Sequence, residues 1–271
     1  VHGSPAVLDQ LDQHFGVSVA TPVTPAERLL AEALSVEQFA LAAEQLRFDF
    51  SEELALLKLL AVAERRAAVT EALERSRVAR ALVEPQRVVL VGRQNAGKSS
   101  LFNQLLFRER ALTGATPGLT RDAIAEVTTL TGYPYELVDT AGEGVVGSAI
   151  DAAAIERSRS WRRGAMLLLV VDGSLGPDAD DRQLAVSSSL VVASKLDLVQ
   201  AAWPADVPRD AEVLAQTGLP EVIRTRLGEL LQQRRGLPVG GPVGGFAALD
   251  ELQLQLLITL EADCYGAHSS A

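Results

Sequence analysis

The chain has 271 residues and a net charge of -10, from 25 Lys+Arg against 35 Asp+Glu. That balance lacks the basic footprint of a protein that grips nucleic acid unaided, so any RNA connection would run through a partner. A single cysteine, Cys264, excludes an intramolecular disulfide and a cysteine-rich zinc site, and fits a reducing compartment.

The length leaves room for one or two domains with a sizeable core. The apolar run Ala165 to Val171 falls far below the roughly 20 residues of a membrane span, and no basic-then-apolar signal opens the sequence. A soluble cytoplasmic protein with no membrane partner is expected. Val1 stands first rather than a methionine, as in a fragment or a processed form.

In chain order, Thr24-Pro25-Ala26-Glu27 reads as a helix start, with Thr24 as N-cap, Pro25 at the first helical position and Glu27 completing a capping box. Ser35-Val36-Glu37-Gln38 repeats the signal. Ser51-Glu52-Glu53 then opens one long predicted helix through Leu54, Leu57, Ala61, Val69, Leu73 and Ala81, stopped by Pro85. Beyond Pro85, short apolar runs alternate with helical stretches: Val88–Val91, Ala123–Leu130, Tyr135–Val138, Met166–Val171, Val191–Ala193 and Glu212–Leu214. This pattern predicts a mostly parallel sheet with helices on both faces and ligands beyond the carboxyl ends of the strands. The helix between Asp172 and Ser187 is expected to be short. Pro220–Arg234 is the next predicted helix, with Val222, Ile223, Leu227, Leu230 and Leu231 on one side. Gly236 to Gly245 reads as a flexible connection. A leucine-rich helix, Phe246–Ala262, follows, and its apolar surface calls for the helices of residues 25–84 as partner. The expected fold class is an α/β domain, with a mostly parallel sheet and helices on both faces, inserted into an all-α helical domain.

The residues that carry chemistry begin with Gly92-Arg93-Gln94-Asn95-Ala96-Gly97-Lys98-Ser99, a complete Walker A phosphate loop between a strand and a helix. Glycines let the backbone turn its N–H groups onto phosphate. Lys98 would reach the β/γ-phosphates, Ser99 would ligate Mg²⁺, and the helix N-terminus would add positive potential. Asp139-Thr140-Ala141-Gly142 supplies a carboxylate for Mg²⁺ through water and a Gly142 N–H to sense the γ-phosphate. Thr120, between these motifs, would complete the Mg²⁺ shell. Ser194-Lys195-Leu196-Asp197 corresponds to the guanine-reading Asn-Lys-x-Asp, with Asp197 accepting from guanine N1–H and N2–H₂. Serine in place of asparagine loses the amide that bridges base and phosphate loop, so weaker affinity with retained guanine preference is expected. The Ala215 N–H in Leu214-Ala215-Gln216-Thr217-Gly218 is the expected partner of guanine O6.

The run from Gly92 to Asn103, then Thr116-Pro117-Gly118-Leu119-Thr120-Arg121-Asp122, then Asp139-Thr140-Ala141-Gly142, resembles the Era-like translation GTPases. Ile155-Glu156-Arg157-Ser158 and His2-Gly3-Ser4-Pro5-Ala6-Val7-Leu8 narrow the resemblance to the tRNA-uridine-modifying GTPases of the MnmE or TrmE type, strongly over residues 87–172 and loosely elsewhere. The resemblance implies GTP/GDP, Mg²⁺ and K⁺ as cofactors, with Asn95 as the K⁺ ligand. It also implies homodimerisation through the GTPase domains, a flavin-containing partner protein, and tRNA engaged indirectly. Asp151 would orient the attacking water where the family has a glutamate, with Glu143 as the competing carboxylate. Expected nucleotide contacts are Asn95, Ala96, Gly97, Lys98, Ser99, Ser100, Gly142, Ser194, Lys195, Asp197 and Ala215. Catalysis falls to Asp151 and Lys98, and Mg²⁺ to Ser99, Thr120 and Asp139.

Expected domain limits are 1–24 as a remnant of the family's amino-terminal domain, 25–84 as the first part of the helical domain, 85–235 as the GTPase domain, and 236–271 as linker and last helical part. Folate binding does not carry over. Cys264 sits where the family has a carboxyl-terminal cysteine, but the flanking residues differ, and a small residue on a packed helix end is the expected role. The functional expectation is a Mg²⁺-dependent, K⁺-stimulated GTPase in tRNA wobble-uridine modification. The alternatives are a ribosome-assembly GTPase of the Era or Der type and a nucleotide-binding interaction module with little catalysis.

Overall fold

The computed structural model describes residues 24–106, 124–139, 164–199, 201–212, 219–238 and 244–266. The chain divides into two compact units: Pro85–Val239, and Val1–Glu84 together with Gly240–Ala271.

In the helical unit, α1 (Pro25–Glu32) begins with the expected capping box: Thr24 Oγ1 accepts from the Glu27 N–H at 3.2 Å and Glu27 Oε2 accepts from the Thr24 N–H at 2.9 Å. Ser35 caps α2 (Val36–Gln45) by accepting from the Gln38 N–H at 3.2 Å. The predicted single helix after Ser51 is two helices, α3 (Phe50–Leu59) and α4 (Val62–Val83). Asp49, two residues upstream of the expected start at Ser51, supplies the cap of α3. Leu60 and Ala61 adopt extended ψ angles of 152° and 149°. The Arg65 guanidinium donates to the exposed Lys58 and Leu60 carbonyls at 2.7 and 3.0 Å, replacing helical donors lost at the break. The break lets Leu54 and Leu57 before it and Val69, Ala72 and Leu73 after it share one cluster with Phe246, Ala248, Leu257 and Leu260.

The last helix also starts later than predicted. Residues 246–249 are non-helical and buried, and α8 runs Glu251–Gly266. Side chains of the helices satisfy this non-helical backbone: Glu44 takes the Gly245 N–H, Gln45 the Ala247 N–H and Ser76 the Ala248 N–H. Asp250 then caps α8 by accepting from the Gln253 N–H at 2.8 Å. As expected, α8 packs on the earlier helices, mainly α4, and Cys264 is buried at its end with Sγ on the Leu260 carbonyl.

The α/β unit holds β1 (Gln86–Val91), α5 (Lys98–Leu106), β2 (Ile124–Leu130), β3 (Tyr133–Asp139), β4 (Met166–Asp172), α6 (Ala179–Ser187), β5 (Leu190–Ser194), β6 (Ala211–Glu212) and α7 (Pro220–Arg234). The sheet order is β2-β3-β1-β4-β5-β6. All neighbours are parallel except β2 and β3, whose hairpin turns at Thr131 and Gly132 with φ of 48° and 88°. Gly228 of α7 makes room for this turn: a Cβ there would lie 2.8 Å from Thr131 Cγ2.

Val89, Val91, Leu167, Leu169, Val171 and Val191 form a core on one side of the sheet, and Val88, Leu90, Leu168 and Val192 on the other are equally buried. Burial of both faces explains why these strands read as continuous apolar runs rather than alternating ones. α7 has the expected limits, but Val222 is 62% exposed, and Gln232 joins Ile223, Leu227 and Leu231 on the buried side. Gln232 uses its amide there to cap the Pro238 carbonyl. The parallel strands β1, β3, β4 and β5 end in Val91, Asp139, Asp172 and Ser194, and the functional side chains gather at those carboxyl ends. Among the described residues, no helix is long and apolar enough to cross a membrane.

Candidate nucleotide site

The loop after β1 has a backbone that side chains would obstruct. Gly92 has φ +135°, and a Cβ on it would fall 2.2 Å from the Val170 carbonyl oxygen. Asn95 and Gly97 also have positive φ, 62° and 98°. Ala96 is buried, whereas Asn95, Ser99 and Ser100 face solvent. The first residue of α5, Lys98, is only 7% exposed, and its ammonium donates to the Gly92 and Arg93 carbonyls at 2.9 and 2.7 Å. Burial pulls its pKa below the ordinary lysine value, and the negative charge of Asp139 partly offsets that. Asp139, buried at the end of β3, pairs in register with Leu90 of β1, just before the loop. A desolvated ammonium held by carbonyls, beside N–H groups that open a helix, fits a phosphate chain. Ser99 and Asp139 fit an Mg²⁺ ion held through a hydroxyl, a carboxylate and water, which needs no cluster of protein carboxylates. Among the described residues there is no such cluster.

The segment expected to read the base is built on β4 and β5. Ser194 Oγ donates to the Ala96 carbonyl at 2.5 Å and also approaches the Val171 carbonyl at 3.1 Å. Serine lacks the amide expected to bridge base and phosphate loop, and the short polar group it retains is bonded to the loop. Lys195 takes φ 55° and places its ammonium 2.6 Å from Asp172 Oδ2. Asp172 Oδ1 accepts from the Ser174 N–H and hydroxyl at 3.0 and 2.6 Å. Burial alone would raise the Asp172 pKa, but these bonds from Lys195 and Ser174 outweigh it and hold the carboxyl below its usual value. Asp197 is exposed at the rim. Thr120, Gly142, Glu143, Asp151 and Ala215 lie outside the described residues.

Sequence reasoning missed several members. Asp172 was legible only as the polar end of an apolar strand before Gly173. Arg93 was given no role of its own within the loop, yet its guanidinium lies 3.2 Å from Asp178 Oδ2 and 3.0 Å from Asp181 Oδ2, and donates to the Gly176 carbonyl at 2.9 Å. The Asp178-x-x-Asp181 spacing was the available signal, since these residues form the capping box that starts α6.

Residues 87–195 match the family model described as 50S ribosome-binding GTPase. The tRNA modification GTPase MnmE of Heliobacterium modesticaldum is 43% identical over 135 residues, 48% of this chain and 29% of that protein. The MnmE protein of Parasynechococcus marenigrum is 35% identical over 247 residues, 87% of this chain and 51% of that protein. The MnmE protein of a Synechococcus strain is 36% identical over 242 residues, 85% of this chain and 50% of that protein. The chain thus spans about half the length of these two longer-matching relatives.

Proposed function

The chain is a relative of the tRNA modification GTPases of the MnmE type, and from that kinship we propose that it is a cytoplasmic, Mg²⁺-dependent, K⁺-stimulated GTP hydrolase acting in tRNA wobble-uridine modification. The observation that carries the reading is the convergence of a buried Lys98 ammonium, the strained phosphate loop and the Ser194–Lys195 segment at the carboxyl ends of β1, β4 and β5.

In this reading the loop N–H groups and Lys98 bind and orient the β- and γ-phosphates, and Ser99, Thr120 and Asp139 hold Mg²⁺, which supplies positive charge to the transferring phosphoryl group. Asn95, exposed and in a left-handed conformation, presents its side chain toward solvent and is the assigned K⁺ ligand. Gly142 senses the γ-phosphate and Asp151 orients the attacking water. Asp197 and the Ala215 N–H read guanine. Two GTPase domains dimerise across their nucleotide faces to complete the site, and a flavin-containing protein is the partner through which tRNA is reached.

The test is GTP turnover by the purified chain in KCl and in NaCl, with size measured in GDP and in GDP plus aluminium fluoride. Turnover stimulated by K⁺, with dimers only in the aluminium fluoride and K⁺ sample, is expected. No turnover above background, or equal rates in both salts, overturns the reading. One observation favours a second reading, a nucleotide-binding interaction module: Ser194 spends its single hydroxyl proton on loop and strand carbonyls and has none for the base. Equal, slow single-turnover rates for wild type and Asp151→Ala would favour the module.

A further inference from the structure

Arg93 is fixed at both ends. Its carbonyl receives the Lys98 ammonium at 2.7 Å and the Ala96 N–H at 3.3 Å. Its guanidinium is held by three acceptors on the segment that follows β4: the Gly176 carbonyl and the carboxylates of Asp178 and Asp181. The Asp181 side chain is 1% exposed, and its Oδ1 has no hydrogen-bond partner among the described residues. A carboxylate this buried is costly without a charge partner, and helix capping alone does not require one. Asp178 can take the Asp181 N–H with any residue at the third helical position. The same turn is anchored to the base-reading side, because the Gly176 N–H donates to the Asp172 carbonyl at 2.9 Å while Asp172 pairs with Lys195.

We propose that Arg93 is a positioning residue for Lys98: its guanidinium, clasped by Gly176, Asp178 and Asp181, fixes the main-chain carbonyl that aims the Lys98 ammonium at the nucleotide phosphates. The inference rests on the nucleotide-site reading above. The 172–178 turn then ties the phosphate and base halves of that site together, with Arg93 as its hook on the phosphate side.

The test compares wild type with Arg93→Met, which keeps an unbranched apolar stem but no fork, with Arg93→Lys, with Asp181→Asn and with the Arg93→Met/Asp181→Asn double variant. Affinity is read with a fluorescent GDP analogue, and unfolding midpoints are recorded beside it. Arg93→Met should weaken binding about tenfold, as expected for loss of charge-assisted hydrogen bonds that orient a binding group. Arg93→Lys should recover part of the loss, and the double variant should bind no worse than the weaker single. A merely structural role would lower the midpoint and leave the affinity of the folded fraction unchanged. If Arg93→Met does not fold, Arg93→Lys and Asp181→Asn carry the comparison. Wild-type binding with the variants within twofold of it, or single losses that multiply in the double variant, overturns the clasp alone. Absence of guanine-nucleotide binding by wild type overturns the clasp and the function reading together.

Discussion

The Ser194 hydroxyl donates to the Ala96 carbonyl at 2.5 Å, so the strand that leads into Ser194-Lys195-Leu196-Asp197 is stitched to the loop after β1 through one side chain. Ser194→Ala removes that donor and leaves a buried carbonyl unpaired. The expected cost is about 1–3 kcal/mol of stability in the α/β unit, together with weaker nucleotide binding. Ser194→Asn can keep the bond to the loop and adds an amide for the base, so guanine-nucleotide affinity should rise severalfold. Fluorescence titration checks both, and an asparagine variant that binds no better than wild type contradicts the bridging role.

Gly92 is the position where the loop tolerates substitution least. Gly92→Ala combines φ +135° with a Cβ 2.2 Å from the Val170 oxygen, so β1 and β4 must separate or the loop must move. A strained conformation of this kind costs on the order of 1–3 kcal/mol before the clash is counted. The variant should show a clearly lower thermal midpoint and little nucleotide binding; a midpoint equal to wild type would contradict the close approach of loop and strand.

Ser76 tests the helical unit by itself. Its buried hydroxyl donates to the Ala72 carbonyl at 2.6 Å and accepts from the Ala248 N–H at 2.8 Å. Ser76→Ala leaves the Ala248 N–H without its acceptor, at a cost of about 1–3 kcal/mol. Hydrogen exchange should speed up at Ala248 and its neighbours while nucleotide affinity stays at the wild-type level. Unchanged exchange there would contradict the pairing.

These positions also show what the sequence made legible. The caps at Thr24 and Ser35, the limits of α7 and the phosphate loop follow from local rules: a polar oxygen before a helix, a proline at its first position, glycines where φ is positive. The break at Leu60 and Ala61 does not, since Leu59-Leu60-Ala61-Val62 reads as uninterrupted helix. It exists because Leu54 and Val69 gain a common cluster with Phe246 and Leu257, which are distant in sequence. For the same reason 246–249 is non-helical although its alanines and leucine favour helix: the acceptors for N–H groups of this segment sit on Glu44, Gln45 and Ser76. In the site, Lys98 and Asp139 were recognisable from motif spacing. Asp172 and the Arg93 clasp depend on strand ends that only the sheet order brings together.

Asp172 gives the site an acid limb. Its folded-state pKa lies below the ordinary value of 3.8 because hydrogen bonds from Lys195 and Ser174 outweigh burial. The unfolded chain then binds the proton more readily, so this carboxylate contributes stability above about pH 4 that is lost as pH falls toward its folded value. Asp172→Asn removes that contribution: the variant should be less stable than wild type at neutral pH, with the difference shrinking in acid. A stability gap that is constant from pH 7 to pH 3 would contradict the assignment.

Lys98 gives it an alkaline limb. Burial lowers the pKa of this ammonium and Asp139 raises it, with burial the larger effect. Only the charged form attracts phosphate, so GDP affinity should fall as pH rises through the lowered pKa, at a pH below that of an ordinary lysine. Asp139→Asn takes away the opposing charge while leaving a side chain of the same shape, so the Lys98 pKa drops further and the limb moves to lower pH. Titrating GDP in EDTA keeps the proposed Mg²⁺ role of Asp139 out of the comparison. At neutral pH, losing a negative charge near the phosphates should, if anything, strengthen metal-free GDP binding; the two proteins therefore diverge in opposite directions at the two ends of the profile. Superimposable profiles for wild type and Asp139→Asn would show that the two side chains are not electrostatically coupled.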